Sequence, residues 1–313
     1  MTVTDETARS RPSGRAPRER IDGVLLFDKP PGLSSNQAMM AARRLMGAAK
    51  AGHGGTLDPM ATGLLPLLFG EATKFAHDLL DADKTYLAEM TLGTRTDTGD
   101  REGAVIATAR CTSTPDDVRR AAAGFVGDID QVPPMYSALK RDGKPLYAYA
   151  REGVTLEREA RRVTIHSIDV VDVDLPRVSL RVHCSKGTYI RTLVEDIGLA
   201  LGCGAHLSAL RREAVAGLAV ADAITLARIE ALDLAARRAL LGPLDSLLAG
   251  LPDVRLDPVM ARRFGQGQRL RLHPPDGTRS RVRVYANERL LGLAALDDGV
   301  LVPQRLISTE TPP

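Results

Sequence analysis

The order in which two hydrophobic periodicities follow one another constrains the fold of this chain more than any single motif. Val163–Val173 and Arg177–Cys184 alternate in strand fashion, whereas Tyr189–Leu201 repeats its apolar residues at helical spacing. Earlier, Gly23-Val24-Leu25-Leu26-Phe27 is a short apolar run that stops at Asp28-Lys29-Pro30-Pro31-Gly32, as a strand ended by turn chemistry does. Ser34, Ser35 or Asn36 then caps a helix that reaches about Arg44. Thr85–Gly93 reads as a strand, Thr94–Gly103 as a loop rich in Thr, Asp and Gly, and the residues after it as a strand to Thr108. Pro115–Phe125 reads as a helix capped by Thr114, and the Ala- and Leu-rich stretch Ala221–Leu248 as another. Strands and helices mix without a regular βαβ rhythm, so the expected class is α+β and not a doubly wound sheet.

Gly250, Pro252 and Pro258 mark a boundary. Beyond it, Arg279–Tyr285, Leu290–Leu296 and Val300–Pro303 are short apolar or alternating runs separated by Ala286-Asn287-Glu288 and Asp297-Asp298-Gly299 turns, the pattern of a small β unit. Residues 1–20 carry Arg9, Arg11, Arg15, Arg18 and Arg20 among few large apolar side chains, so burial cannot offset the entropy of ordering them. The expected organisation is a basic flexible arm over 1–20, a main unit over 21–250 and a small unit over 251–313.

Composition narrows the function classes. Hydrophobic residues make up 44% and charged residues 26%, an ordinary globular balance. No apolar run approaches the roughly 20 residues that span a bilayer, and the N-terminus lacks the apolar core of a secretory signal, so we expect a cytoplasmic protein. Cys111, Cys184 and Cys203 are widely spaced and fall in no CxxC pattern, which suggests neither a disulfide framework nor a metal site. A net charge of +3 does not announce a nucleic-acid protein; the distribution of charge has to carry that argument.

Four segments bear chemistry. In Gly52-His53-Gly54-Gly55-Thr56-Leu57-Asp58-Pro59, glycines surround one carboxylate, and Pro59 fixes the chain after it, so Asp58 is presentable at a defined angle; the plainer alternative is an Asp-Pro turn. Cys184-Ser185-Lys186-Gly187-Thr188-Tyr189-Ile190-Arg191 places a turn and an aromatic beside Arg191 as a helix begins. A guanidinium can grip a carboxylate bidentately and favour its ionised form, or Arg191 can simply pair with Glu195 one turn on. Tyr86 stands near the start of a strand in a chain without Trp, as a stacking ring or as a half-buried sheet tyrosine. The segment 133–151 interleaves Lys140, Arg141, Lys144 and Arg151 with Tyr136, Tyr147 and Tyr149, an RNA-contacting loop or a solvated surface. The last unit adds Arg262, Arg263, Arg269, Arg271, Arg279, Arg281 and Arg283 as a second electrostatic contact.

Taken in order, several segments resemble the TruB family of tRNA pseudouridine synthases. They are Asp28-Lys29-Pro30 with Gly32–Asn36, His53–Leu65, Gly70–Lys74, Lys84-Thr85-Tyr86, Arg95–Asp100, Met135–Lys140 and Cys184–Glu195. The resemblance spans Asp22 to Ala219 and is weak in the tail. It implies the pseudouridine-synthase fold, a mixed and mostly antiparallel sheet with flanking helices and a central cleft, followed by a small β-rich PUA-like RNA-binding unit. It implies Asp58 as catalytic aspartate, Tyr86 as the ring stacked on the base and Arg191 as the partner of the carboxylate. His53, Tyr189 and Leu210 match other substrate-contacting positions, and Lys29, Lys140, Arg141 and Lys144 are expected RNA contacts. One departure is Gly54, where the family often has Thr.

The implied reaction isomerises uridine-55 of the T arm of tRNA to pseudouridine: the N1–C1′ bond breaks, the uracil turns and rejoins through C5. No cofactor and no metal are expected, and the protein is expected to act as a monomer with tRNA as partner and no membrane. Asp58 can act as nucleophile at C1′ or C6 or can remove the C2′ proton, and the residues do not choose among these routes. The target has to leave its stack, with His53 filling the gap. The alternative from another class is an RNA-binding protein or tRNA folding chaperone with secondary or no modification activity.

Overall fold

The structure is a computed structural model, and it describes residues 18–272 and 279–308. Among these residues, two sheets organise the chain. The larger has ten strands, and its main path runs Ile224–Thr225, Gly23–Lys29, Thr62–Phe69, Ala205–Val215, Lys84–Leu92, Arg177–Cys184, Arg161–Asp174, Gly127–Gln131. Neighbours pair antiparallel except Gly23–Lys29 with Ile224–Thr225 and Thr62–Phe69 with Ala205–Val215. The sheet is therefore mixed and mostly antiparallel, without the βαβ crossovers of a doubly wound fold.

Lys84–Leu92 buries every second residue, Lys84, Tyr86, Ala88, Met90 and Leu92, and this alternation sets its register in the centre of the sheet. The helix Ser35–Leu45 starts at Ser34, whose Oγ accepts from Gln37 N at 3.2 Å while Gln37 Oε1 accepts from Ser34 N at 2.9 Å. That reciprocal cap, with buried Ser35, Ala38, Met39 and Ala42 at helical spacing, fixes the helix against the sheet. The helix Ile190–Ala200 buries Ile190, Arg191, Leu193, Val194 and Ile197. Leu193, Val194 and Ile197 are fully enclosed, and truncating any of them to Ala costs about 2–5 kcal/mol.

Two expectations need correction. Ala221–Leu248 is not one helix but short pieces, Leu226–Glu230, Leu234–Arg238 and a 3₁₀ turn over Leu244–Leu248. Thr225 caps the first and Asp233 the second, each side chain accepting from a backbone N–H, so cap chemistry twice restarts the helix that Ala and Leu content alone favours. The basic arm also ends sooner than residue 20. Glu19 bonds Gly47 and Ala49 through its backbone, and Arg20 pairs with Glu71 at 3.2 Å; the rest of the arm lies outside the described residues.

The second sheet, of five strands, runs Asp253–Leu256, Arg279–Ala286, Arg289–Asp297, Val300–Leu306, Leu270–Arg271, around its own cluster of Leu256, Phe264, Leu270, Val282, Val284 and Leu301. Phe75 packs with Tyr285, Leu290 and Leu293 to join it to the main body. Polar bonds reinforce the seam: Lys74 Nζ donates to Leu306 O at 2.7 Å, Ser308 N to Glu71 Oε2 at 2.7 Å, and Arg281 pairs with Asp78. The Gly70–Lys74 motif thus sits at the joint between the two sheets. No helix among the described residues is long and apolar enough to cross a membrane.

Candidate active site

Asp58 lies on the loop between strands Ala51–His53 and Thr62–Phe69, and bonds on both sides of it pin that loop. Ser35 Oγ accepts from Leu57 N at 2.7 Å and donates to Leu57 O at 3.1 Å. Gly32 N donates to Pro59 O at 2.8 Å, and Ala61 N to Asp58 O at 3.1 Å. Lys29, fully buried, gives its Nζ to Leu33 O at 2.6 Å, Pro30 O at 2.9 Å and Pro59 O at 3.2 Å. This corrects its expected role: an ammonium enclosed by three carbonyls is out of reach of a phosphate and instead ties the turn after the first strand to the Asp58 loop. Burial lowers its pKa to about 8, against the opposing pull of Asp58 and Glu102.

The loop returns into the sheet at Gly63, where φ is +100° and a Cβ would stand 2.3 Å from Arg212 O. Only glycine allows that approach. Gly54, the departure from the family pattern, has a comparable cause: a Cβ there would meet Leu79 Cβ at 2.7 Å and Leu79 Cδ1 at 2.2 Å. Leu79 fills the space that a threonine would need.

Arg191, 4% exposed, comes from the first turn of its helix and meets Asp58 side-on, Nε to Oδ2 at 3.0 Å and Nη2 to Oδ1 at 3.4 Å. Its remaining donors reach Tyr136 O at 2.6 Å and Thr98 O at 3.0 Å. Its ion pairs run to Asp58 and, at 3.7 Å, to Asp100, not along the helix to Glu195. Asp100 is buried, and its Oδ1 accepts from Thr98 Oγ1 at 2.7 Å and from Glu102 N at 3.0 Å. Leu207 N donates to Gly99 O at 3.0 Å and Arg101 N to Leu207 O at 2.9 Å, so the turn that carries Asp100 is laced to the central sheet. Gln131 braces the other end, accepting from Tyr189 N at 3.0 Å and donating to Tyr189 O at 3.3 Å just ahead of Arg191.

Burial pushes the Asp58 carboxyl above the usual aspartate value; Arg191 pulls it down, Asp100 pushes it up and Lys29 pulls it down again. About a third of its side chain remains open to a cleft of about 840 Å³. His53, Asp58, Asp100, Tyr136, Tyr147, Arg151 and Arg191 are among the residues that line this cleft. Burial, then the charge of Arg212, lowers the His53 pKa from 6.5, so the ring is neutral at pH 7, and its Nδ1 has no hydrogen-bond partner among the described residues.

Tyr86, Tyr189 and Leu210 are not in the cleft lining. Tyr86 is 9% exposed and Leu210 8%, both within the main core cluster and on adjacent strands of the sheet. Tyr86 is near enough to Asp58 for the two charges to interact, and burial raises its hydroxyl pKa while Arg212 lowers it. Arg212, 1% exposed and paired with Tyr86 across the sheet, donates Nε to Leu64 O at 2.7 Å and Nη2 to Gly55 O at 3.2 Å, and so links the strand beside Tyr86 to the glycine loop. The sequence reading offered Ser35 only as a candidate helix cap and assigned no role to Asp100, Gln131 or Arg212. For Arg212 a signal existed, since Arg211 and Arg212 are adjacent on a strand whose alternation sends one inward; Arg211 faces out to Asp28 at 2.8 Å.

Of the expected RNA contacts, Lys140 and Arg141 are exposed on a short hairpin, Arg141 donating to Glu157 O at 2.9 Å. Lys144 is held by Glu152 at 2.5 Å and lies 4.4 Å from the Tyr149 ring centre. In the second sheet, Arg281 is spent on Asp78 and Arg279 pairs with Asp297, so the basic surface there is smaller than the count of arginines suggests.

A mixed sheet whose centre presents an arginine-gripped aspartate to a cleft is the architecture of a pseudouridine synthase. Residues 43–190 match the TruB family pseudouridylate synthase N-terminal domain, 191–249 the tRNA pseudouridylate synthase B C-terminal domain, and 252–307 the C-terminal domain of pseudouridine synthase II TruB. The tRNA pseudouridine synthase B of Burkholderia mallei is 58% identical over 95% of this chain and 98% of its own, and that of Cupriavidus metallidurans 55% identical over 97% and 99%. Among solved structures, a Cbf5–Nop10–Gar1 complex superposes with a TM-score of 0.69 at 26% identity, covering 96% of this chain and 92% of that one. The archaeal box H/ACA Nop10–Cbf5 complex, at 23% identity, TM-score 0.67 and coverage of 96% and 93%, shares the fold. The chain belongs to the TruB family of tRNA pseudouridine synthases.

Proposed function

We propose that the protein converts uridine-55 in the T arm of tRNA to pseudouridine, with Asp58 as the catalytic carboxylate and Arg191 as the group that orients it. The observation that carries the assignment is the side-on pairing of Arg191 with Asp58, 3.0 and 3.4 Å, at the wall of a cleft large enough for an extruded nucleotide. A carboxylate whose two oxygens are fixed by one fork has one orientation to offer, and the third of its side chain left open faces the cleft. The reaction conserves atoms: N1–C1′ breaks, C5–C1′ forms, C5 loses its proton to solvent and N1 takes one up.

Tyr86 is held within the core cluster with a small exposed margin, which suits a rigid ring against the base better than a mobile gate. Tyr189 and Leu210 are further walls of the base pocket, and neutral His53, whose Nδ1 has no hydrogen-bond partner among the described residues, is a hydrogen-bonding group for the RNA at the mouth. Lys140, Arg141 and Lys144 contact the RNA backbone, and residues 251–313 form a PUA-like unit that does the same.

Asp58→Asn tests the assignment. Tritium released from 5-labelled uridine in tRNA should vanish while filter binding of the tRNA stays within several-fold, because the change is nearly isosteric; retained turnover refutes the role.

A further inference from the structure

On the face of the main sheet opposite Tyr86, three side chains converge, His166 and His183 from neighbouring strands and Asp83 from just before the strand Lys84–Leu92, each offering a donor atom, all within 4.8 Å of one another. His183 is paired with Thr85, and Asp83 lies two residues before Thr85, so strand alternation puts both on one face as diagonal neighbours. His166 sits where the pairing slips from Ile165↔Cys184 to Ser167↔His183, a bulge that sets two residues, His166 and Ser167, against His183. The bulge brings the two imidazoles to a centroid distance of 4.7 Å at 44°, and His166 Nε2 to 3.2 Å from Asp83 Oδ2.

From this geometry we infer that Asp83, His166 and His183 form a surface site for a first-row divalent cation of the zinc class, separate from the catalytic cleft. Two imidazoles and one carboxylate suit such an ion and not Mg2+ or Ca2+, which need more oxygens. In tetrahedral coordination at about 2.0–2.1 Å, neighbouring donors stand about 3.3 Å apart. The His166–Asp83 pair is already at that separation, and His183 closes the remainder by side-chain rotation. The scaffold needs no rearrangement: His183 lies within a strand flanked on both sides, and Asp83 is tied by Ala216 N to its carbonyl at 3.0 Å. The fourth position stays open to water, and all three side chains are exposed, so an ion has a free path in. Bound there, it would clamp the start of the strand that carries Tyr86 to its two neighbours.

The test is Zn2+ titration of the full, chelator-stripped protein by calorimetry in a non-coordinating buffer, with His166→Gln and His183→Gln alongside. One equivalent should bind, and each variant, lacking one of three ligands, should weaken binding at least about tenfold while isomerase activity without metal is unchanged. Co2+ should give a ligand-field band without thiolate charge transfer. Binding that survives both variants, or a thiolate charge-transfer band from Co2+, places the ion elsewhere and overturns the proposal. Absence of stoichiometric binding overturns it as well, leaving the cluster as a His–Asp ion pair.

Discussion

Replacing Arg191 in two ways separates its charge from its shape. Arg191→Gln removes the cation 3.0 Å from Asp58, and an opposite charge at that range typically moves a carboxyl pKa by about 1–3 units, each about 1.4 kcal/mol. Burial and Asp100 already push Asp58 upward, so loss of Arg191 adds to a raised value and does not offset a lowered one. The acid limb of kcat/KM against pH should therefore move up by about 1–3 units. Arg191→Lys keeps a positive charge but cannot grip both oxygens of Asp58 while donating to Thr98 O and Tyr136 O. Its acid limb should stay near that of the wild type, and its kcat should fall by about 10²-fold or more from lost orientation. Two carbonyls lose a charged donor in the Gln variant, at about 1.5–3 kcal/mol each, so circular dichroism must first confirm a folded protein at the assay temperature. Tritium-release rates from pH 5 to 9 then decide. Superimposable acid limbs for wild type and Arg191→Gln refute the electrostatic reading, and wild-type turnover by Arg191→Lys refutes the orientation reading.

Other outcomes follow from the same contacts. Because the pKa of Asp58 is raised on folding, its charged form costs stability at neutral pH and the cost disappears as pH falls through the folded value. Asp58→Asn should accordingly melt at or above the wild-type temperature at pH 7.5, with the gap narrowing as the pH is lowered toward the ordinary aspartate value; a variant that melts well below wild type at pH 7.5 contradicts this. Lys29→Met should lower Tm and cut kcat by about 10-fold or more by freeing the Asp58 loop, yet leave the salt dependence of tRNA binding unchanged; a salt slope smaller by about one would restore Lys29 as a phosphate contact. Lys140→Gln and Arg141→Gln should each reduce that slope by about one with kcat intact, and an unchanged slope would remove the hairpin from the RNA interface.

The features that could be read in the sequence are those governed by local patterns, and the ones that could not depend on contacts between distant segments. Turn chemistry at Pro30-Pro31-Gly32, the Thr114 cap and the alternation of Arg177–Cys184 each act within a few residues, and the structure places elements there. Ala221–Leu248 misleads because helix propensity is a weak prior against two internal caps. Lys29 misleads for a related reason: a lysine at a turn reads as a phosphate contact, but the carbonyls of Pro30 and Leu33 in its own turn, closed over by Pro59 thirty residues on, take up its ammonium. Asp100 stands inside a motif that was visible, yet its role as the second carboxylate on Arg191 requires a turn, a strand and a helix to meet. The consequence for mechanism is that Asp58 is governed from outside its own glycine-rich segment. Lys29 and Ser35 set where its backbone lies, Arg191 sets which way its oxygens point, and the negative charge of Asp100 opposes its ionisation. A chain that kept Gly52–Leu65 intact but lost any one of these would keep the motif and lose the presentation of the carboxylate to the cleft.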